Sequence, residues 1–140
     1  MSMSTRANII LVTPNNLVHQ FYHHCDGYLS GVGEELRKYI VYSIGMNKVN
    51  ENIPIYDCFV SKLIKDIDYD DEYKFNLTDS NRLHFDVEYI YVVKDSKLYY
   101  VHEWDLYEKM NTYQDLINYI CKDENIIKLD KHVRDEDDGD

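Results

Sequence analysis

Ala7-Asn8-Ile9-Ile10-Leu11-Val12-Thr13-Pro14-Asn15-Asn16-Leu17-Val18-His19-Gln20-Phe21-Tyr22-His23-His24 is the stretch that decides the fold. Residues 9–12 are apolar at successive positions, so the run 7–13 reads as a strand that is apolar on both faces. Pro14-Asn15-Asn16 is turn chemistry. Residues 17–24 return as a second strand. Leu17, His19, Phe21 and His23 share one face, and Val18, Gln20, Tyr22 and His24 share the other. The two strands form a hairpin that Asp26-Gly27 ends, with Gly27 expected at a positive φ.

Downstream, Ser30 reads as the N-cap of a helix over about 31–44. Glu34 and Glu35 lie near its positive end, and Gly45 reads as its stop. Val32, Leu36, Tyr39, Ile40 and Ser43 make its inward stripe. Pro54 opens a second helix over 54–65, with Ile55, Cys58, Phe59, Leu63 and Ile67 facing inward. Asp66-Ile67-Asp68-Tyr69-Asp70-Asp71-Glu72 then reads as an acidic loop. Residues 85–94 and 97–104 alternate about the turn Asp95-Ser96, which predicts a second hairpin. Thr112-Tyr113-Gln114-Asp115 looks like a capping box opening a third helix over about 113–122. The order is therefore β-β-α-α-β-β-α. That predicts an α+β two-layer domain: an antiparallel sheet of about four strands, two hairpins, with about three helices on one face. One domain is expected over 1–129, followed by an acidic C-terminal tail over 130–140 that frays from Arg134.

At 140 residues the chain buries about 68% of its unfolded surface, enough for a core without staples. It carries 26 acids and 15 Lys/Arg, a formal charge of −11. Residues 130–140 hold six of the acids and two of the bases; removing them leaves 20 and 13, so the body is acidic in its own right. Direct nucleic-acid binding is disfavoured, because phosphate contacts need clustered Lys/Arg. An anionic membrane surface is disfavoured for the same reason, and no stretch is apolar enough to span a bilayer. A basic partner would be attracted; the competing reading is that acidity serves solubility alone. Cys25, Cys58 and Cys121 are widely spaced and odd in number, which fits a reducing cytoplasm rather than a disulfide framework. No signal peptide is expected at the N-terminus.

Two candidate sites emerge. The first joins Arg6, His24, Asp26 and Tyr28. Arg6 and Asp26 fall at the open end of the hairpin, where a charge-assisted pair would clamp it as a structural knot. The same residues, with the Gly31-Val32-Gly33 amides, could instead hold a nucleotide phosphate or another small anion. A metal site on His23, His24, Cys25 and Asp26 with His84 or His102, and a Cys25–histidine hydrolase, are further readings. Neighbouring side chains alternate faces, which works against both. The second site is an acidic surface of Asp66, Asp68, Asp70, Asp71 and Glu72, with Tyr69 and Tyr73 as aromatic anchors. Its spacing echoes the opening of a calcium loop. Asp71 stands where the bend glycine belongs, however, and Leu77 where the closing glutamate belongs, so no metal or cofactor is expected.

Ser4-Thr5-Arg6-Ala7 with His24-Cys25-Asp26-Gly27-Tyr28 and Gly31-Val32-Gly33 resembles small phage and mobile-element proteins. These begin with a Ser-Thr-Arg-(Ala/Ser) strand and carry His-x-Asp-Gly-Tyr after the second strand. The resemblance covers about the first 45 residues and brings no catalytic role. It implies a viral or mobile-element origin. By analogy it implies a non-enzymatic, anti-CRISPR-like inhibitor that binds a host defence protein with a basic surface by imitating nucleic acid. Exposed Tyr-rich strands also leave a homodimer open.

Overall fold

The computed structural model describes residues 5–81, 87–102 and 110–135. The expected strand ends at 85–86 and 103–104, and His84, lie outside the described residues. Over the described residues the domain is α+β, with three helices and a six-stranded mixed sheet in the order β3-β2-β1-β4-β5-β6.

The first hairpin forms as the sequence predicts. β1 (Ala7–Val12) and β2 (Leu17–His23) pair antiparallel, Ala7 opposite His23 and Val12 opposite Val18. The second is β4 (Tyr89–Lys94) and β5 (Lys97–Val101), Lys94 opposite Lys97. Asp95 and Ser96 both take positive φ (52° and 63°), the geometry of a tight hairpin turn that matches strand twist. The hairpins join through β1 and β4, which run parallel with Ala7 beside Tyr89. The sheet is thus mixed, not purely antiparallel. It also gains two strands beyond the expected four: β3 (Asp71–Asn76) on β2, and the short β6 (Ile126–Ile127) on β5.

Helices cover both faces, which corrects the two-layer expectation. Ala7, Ile9, Leu11 and Phe21 pack with Leu36, Tyr39 and Ile40 of α1 (Glu34–Val49) and with Phe59 and Leu63 of α2 (Ile55–Asp66). Ile10, Val12, Val18, Ile90 and Val92 pack on the other side against Leu116, Ile117 and Ile120 of α3 (Tyr113–Ile120). β1 is apolar at successive positions because it is an interior strand covered twice.

Two helix boundaries differ from expectation and a third forms as predicted. A wide π-helical turn, Leu29–Gly33, leads into α1, and Ser30 lies inside that turn rather than capping it. α1 runs on through Gly45 to Val49; Gly45 has open space around it, so nothing forces a stop there. The capping box of α3 forms in full: Thr112 Oγ1 accepts from the Asp115 N–H at 3.2 Å, and Asp115 accepts from the Thr112 N–H at 3.3 Å.

The tail is anchored as far as it is described. Leu129 and Val133 pack on the α1–α2 core. Glu34 holds this segment: it receives Arg37 at 2.8 Å and 2.9 Å, the Val133 N–H at 2.8 Å and His132 Nδ1 at 2.8 Å. Arg37 also donates to the Leu129 carbonyl at 3.0 Å. Residues 129–135 therefore belong to the folded body.

Candidate functional site: an acidic cleft at one end of the sheet

The chain turns sharply after β2. Asp26, not Gly27, takes the left-handed conformation (φ 57°), which Asp tolerates better than most residues. Gly27 is needed for space instead. A Cβ there would lie 2.9 Å from Ala7 Cβ, the Arg6 carbonyl carbon and the Thr5 oxygen. Its N–H donates to the Thr5 carbonyl at 2.8 Å, and its carbonyl accepts from the buried Tyr91 hydroxyl at 2.6 Å. Burial drives the Tyr91 hydroxyl far above its ordinary pKa, so it stays a neutral donor.

The wide turn that follows satisfies its own amides. Gly31 and Gly33 N–H donate to the Tyr28 carbonyl at 3.0 Å and 3.4 Å, and Val32 N–H donates to the Asp26 carbonyl at 3.0 Å. Ser30 N–H and Oγ both donate to Asp135, at 2.9 Å and 2.8 Å. The four amides that an anion cradle would offer are thus occupied within the chain, and the Gly31-Val32-Gly33 reading of a phosphate site loses its donors.

The first candidate cluster is distributed rather than convergent. Tyr28 donates to Asp26 Oδ1 at 3.1 Å, and that bond, with the Asp26 charge, raises the tyrosine pKa. His24 turns to other partners: its N–H donates to Asp70 at 2.8 Å and its Nδ1 lies 3.0 Å from the Tyr22 hydroxyl. The Arg6 backbone ties β1 to Glu88, its N–H donating to Glu88 Oε1 at 2.7 Å. His102 stacks on Tyr89 with centroids 4.2 Å apart, one strand beyond β1. Cys25 is exposed. Among the described residues, no group of three His, Cys, Asp or Glu is placed to hold a metal ion.

The second candidate cluster is a loop only over residues 67–70. Asp66 ends α2, and Asp71 and Glu72 open the edge strand β3. Several of its charges have structural work. Asp66 pairs with Lys62 at 2.8 Å. Asp70 receives the His24 amide. Glu72 lies 2.5 Å from His19 Nε2 and receives the Tyr69 hydroxyl at 3.3 Å. The two anchor tyrosines separate. Tyr69 packs edge-on against Phe21 on the α1–α2 face, centroids 5.0 Å apart. Tyr73 stacks on Phe75, which stacks on Tyr113 of α3, on the opposite face.

One member of the first cluster, Asp26, and two of the second, Asp66 and Asp68, meet at one place, whereas Arg6, His24, Tyr28 and the β3 residues do not reach it. A cleft of about 320 Å³ lies at the end of the sheet, between the turn after β2, the start of α1 and the end of α2. Asp26, Glu34, Glu35, Asp66 and Asp68 line it, together with Lys38 and His23. Glu34 is bonded to Arg37, and Glu35 lies 2.9 Å from Lys38. Hydrogen bonding from Arg37 pulls the Glu34 carboxyl down to about 2, so it remains ionised at any physiological pH. Asp68 is exposed at the rim. No family model, curated protein or solved structure matches this chain.

Sequence reasoning missed the contribution of Glu34 and Glu35 to this cleft, and the docking of Asp135 onto Ser30 beside it. The Glu34–Arg37 spacing is visible on a helix; the Ser30–Asp135 contact spans 105 residues and leaves no local pattern.

No helix among the described residues is long and apolar enough to cross a membrane.

Proposed function

We propose that this chain is a non-enzymatic binding protein that uses the acidic end of its sheet to engage a basic surface on a protein partner. The observation that carries the reading is the convergence of Asp26, Asp66 and Asp68, from two distant segments, on one cleft beside the acidic start of β3. Closely spaced carboxylates on a rigid frame attract a surface built to bind phosphates, and they speed encounter with it. With the resemblance to phage and mobile-element proteins, this favours an inhibitor of a host defence protein that handles nucleic acid. The occupied amides of the Leu29–Gly33 turn weigh against the nucleotide or small-anion alternative.

The test is affinity capture from a bacterial host lysate by the tagged chain and by an Asp68→Lys chain, each eluted with rising salt. Capture of a basic nucleic-acid-binding protein by the first chain only, and its displacement by duplex DNA, supports the proposal. Equal capture by both chains, with matched unfolding curves, rejects it.

A further inference from the structure

We infer that the outer edge of β3, which no strand among the described residues pairs, is a self-association surface, and that two copies of this chain pair through it into one continuous sheet. β3 is the longer of the two terminal strands of the sheet, six residues against two in β6. Asn76 is closed off, its N–H donating to Asp79 Oδ2 and its carbonyl accepting from the Asp79 N–H, so Glu72 to Phe75 present an edge about 13 Å long. One side of β3 is bonded to β2; on the other, Glu72, Tyr73 and Lys74 are exposed to solvent. An edge of this kind offers backbone N–H and C=O groups to a further strand.

The occupant follows from the sequence of the strand itself. A two-fold axis perpendicular to the sheet pairs β3 antiparallel with its copy and keeps like faces together. Residues directly opposite must then share a face, so their numbers sum to an even value. Centring the axis on Tyr73 sets Glu72 opposite Lys74 of the second copy, and Lys74 opposite its Glu72. Each Lys74 then faces a Glu72 carboxylate that also holds His19 and Tyr69 of its own copy, and the exposed Tyr73 rings meet at the axis; aromatic and opposite-charge pairs are the favourable cross-strand combinations. Centring the axis on Lys74 instead places two ammonium groups against each other. Among the even-sum registers, the one centred on Tyr73 is the one that sets Glu72 opposite Lys74.

The rest of the edge agrees with a copy rather than with a basic partner. Asp66, Asp68 and Asp70 precede β3, so antiparallel pairing carries the two acidic clusters to opposite ends of the interface. Exposed apolar groups flank the edge on both sides of the sheet. Leu17 and Ile64 border a cleft of about 520 Å³ between α2 and β3, and Tyr73 stands on the α3 side. This surface differs from the acidic cleft, so failure of one proposal leaves the other standing.

The experiment is sedimentation equilibrium over a concentration series, with a Cys25→Ser chain as background for cross-linking. A monomer–dimer equilibrium is expected, and Lys74→Glu should raise its Kd about tenfold or more, because it puts acids opposite acids at both pairs. Register is read by oxidation. In the Tyr73→Cys chain the thiol faces its own copy within disulfide reach. In the Asn76→Cys chain it lies about 20 Å from its copy. Covalent dimer from the first and not the second supports the register. A monomer at every concentration overturns the inference. So does a dimer that Lys74→Glu leaves unchanged, or equal cross-linking at both positions.

Discussion

Replacing Glu34 with Gln tests the account of how the C-terminal segment is held. The wild-type carboxyl falls from 4.5 to about 2 on folding, chiefly through its hydrogen bonds from Arg37. A tenfold change in proton affinity corresponds to ~1.4 kcal/mol, so the ionised form contributes about 3 kcal/mol at neutral pH. The side chain is only 15% exposed, which limits solvent screening. The folded value lies below the unfolded one. The contribution is therefore complete above about pH 4.5 and disappears as pH falls through 2. At pH 3 the unfolded carboxyl is protonated while the folded one is still ionised about tenfold over, leaving ~1.4 kcal/mol. Urea unfolding of both chains at pH 7, 5, 4 and 3 gives the difference directly, since other acids titrate alike in each. The expected gap is about 3 kcal/mol at pH 7, narrowing by roughly half at pH 3. Amide exchange should report the same event locally, with Val133 losing protection first because its N–H donates to Glu34. A gap that stays constant from pH 7 to pH 3 refutes this reasoning.

Two further substitutions probe the frame of the site. Gly31→Ala drives a methyl group into the Asp26 carbonyl oxygen, a backbone atom that cannot step aside; it should cost about 1–3 kcal/mol in urea unfolding, and an unchanged midpoint contradicts the packing described. Asn8 is fully buried between Tyr22 and Ile90, and neither atom of its amide has a hydrogen-bond partner among the described residues. Asn8→Leu should raise stability by ~1–2 kcal/mol by removing that unmet demand, and a loss of stability would show that the amide has a bonding role.

The sequence is most informative where one strand's environment is local. The turn Asp95-Ser96, the capping box at Thr112 and the stripes of α1, α2 and α3 all follow from spacing within a few residues. It is least informative where neighbours are distant. β3 reads as a loop because Asp71, Glu72 and Lys74 are charged, yet charges are what an edge strand tolerates and an interior strand does not. The successive apolar residues of β1 and β4 already imply two covered faces. Reading the hairpins as a half-open sheet overlooked that implication, and with it the parallel β1–β4 pairing that hides both strands. For the site, sequence named most of the acids but not their grouping. Asp26 and Asp66 are brought together by the packing of α1 against α2 and the sheet, a property of the assembled elements and not of either segment.

The net charge of −11 overstates the field a partner would meet. Glu34 is neutralised by Arg37, Glu35 is beside Lys38, and Asp66 is beside Lys62. These i,i+3 and i,i+4 pairs hold helices and cancel at a distance. Asp70 and Glu72 serve the β2–β3 junction through His24, His19 and Tyr69. Asp135 is bonded to Ser30, a residue of the cleft wall, and so brings its charge beside the opening. Among the described residues that line the cleft, Asp26 and Asp68 are the acids not in an ion pair with Lys or Arg. Charge reversal at Asp68 should change association with a basic partner without changing the fold. Reversal at Glu34 or Glu72 removes an internal partner and changes both. The contrast between those positions separates a surface made for binding from acidity that serves solubility alone: in the second case, reversal at Asp68 leaves capture untouched.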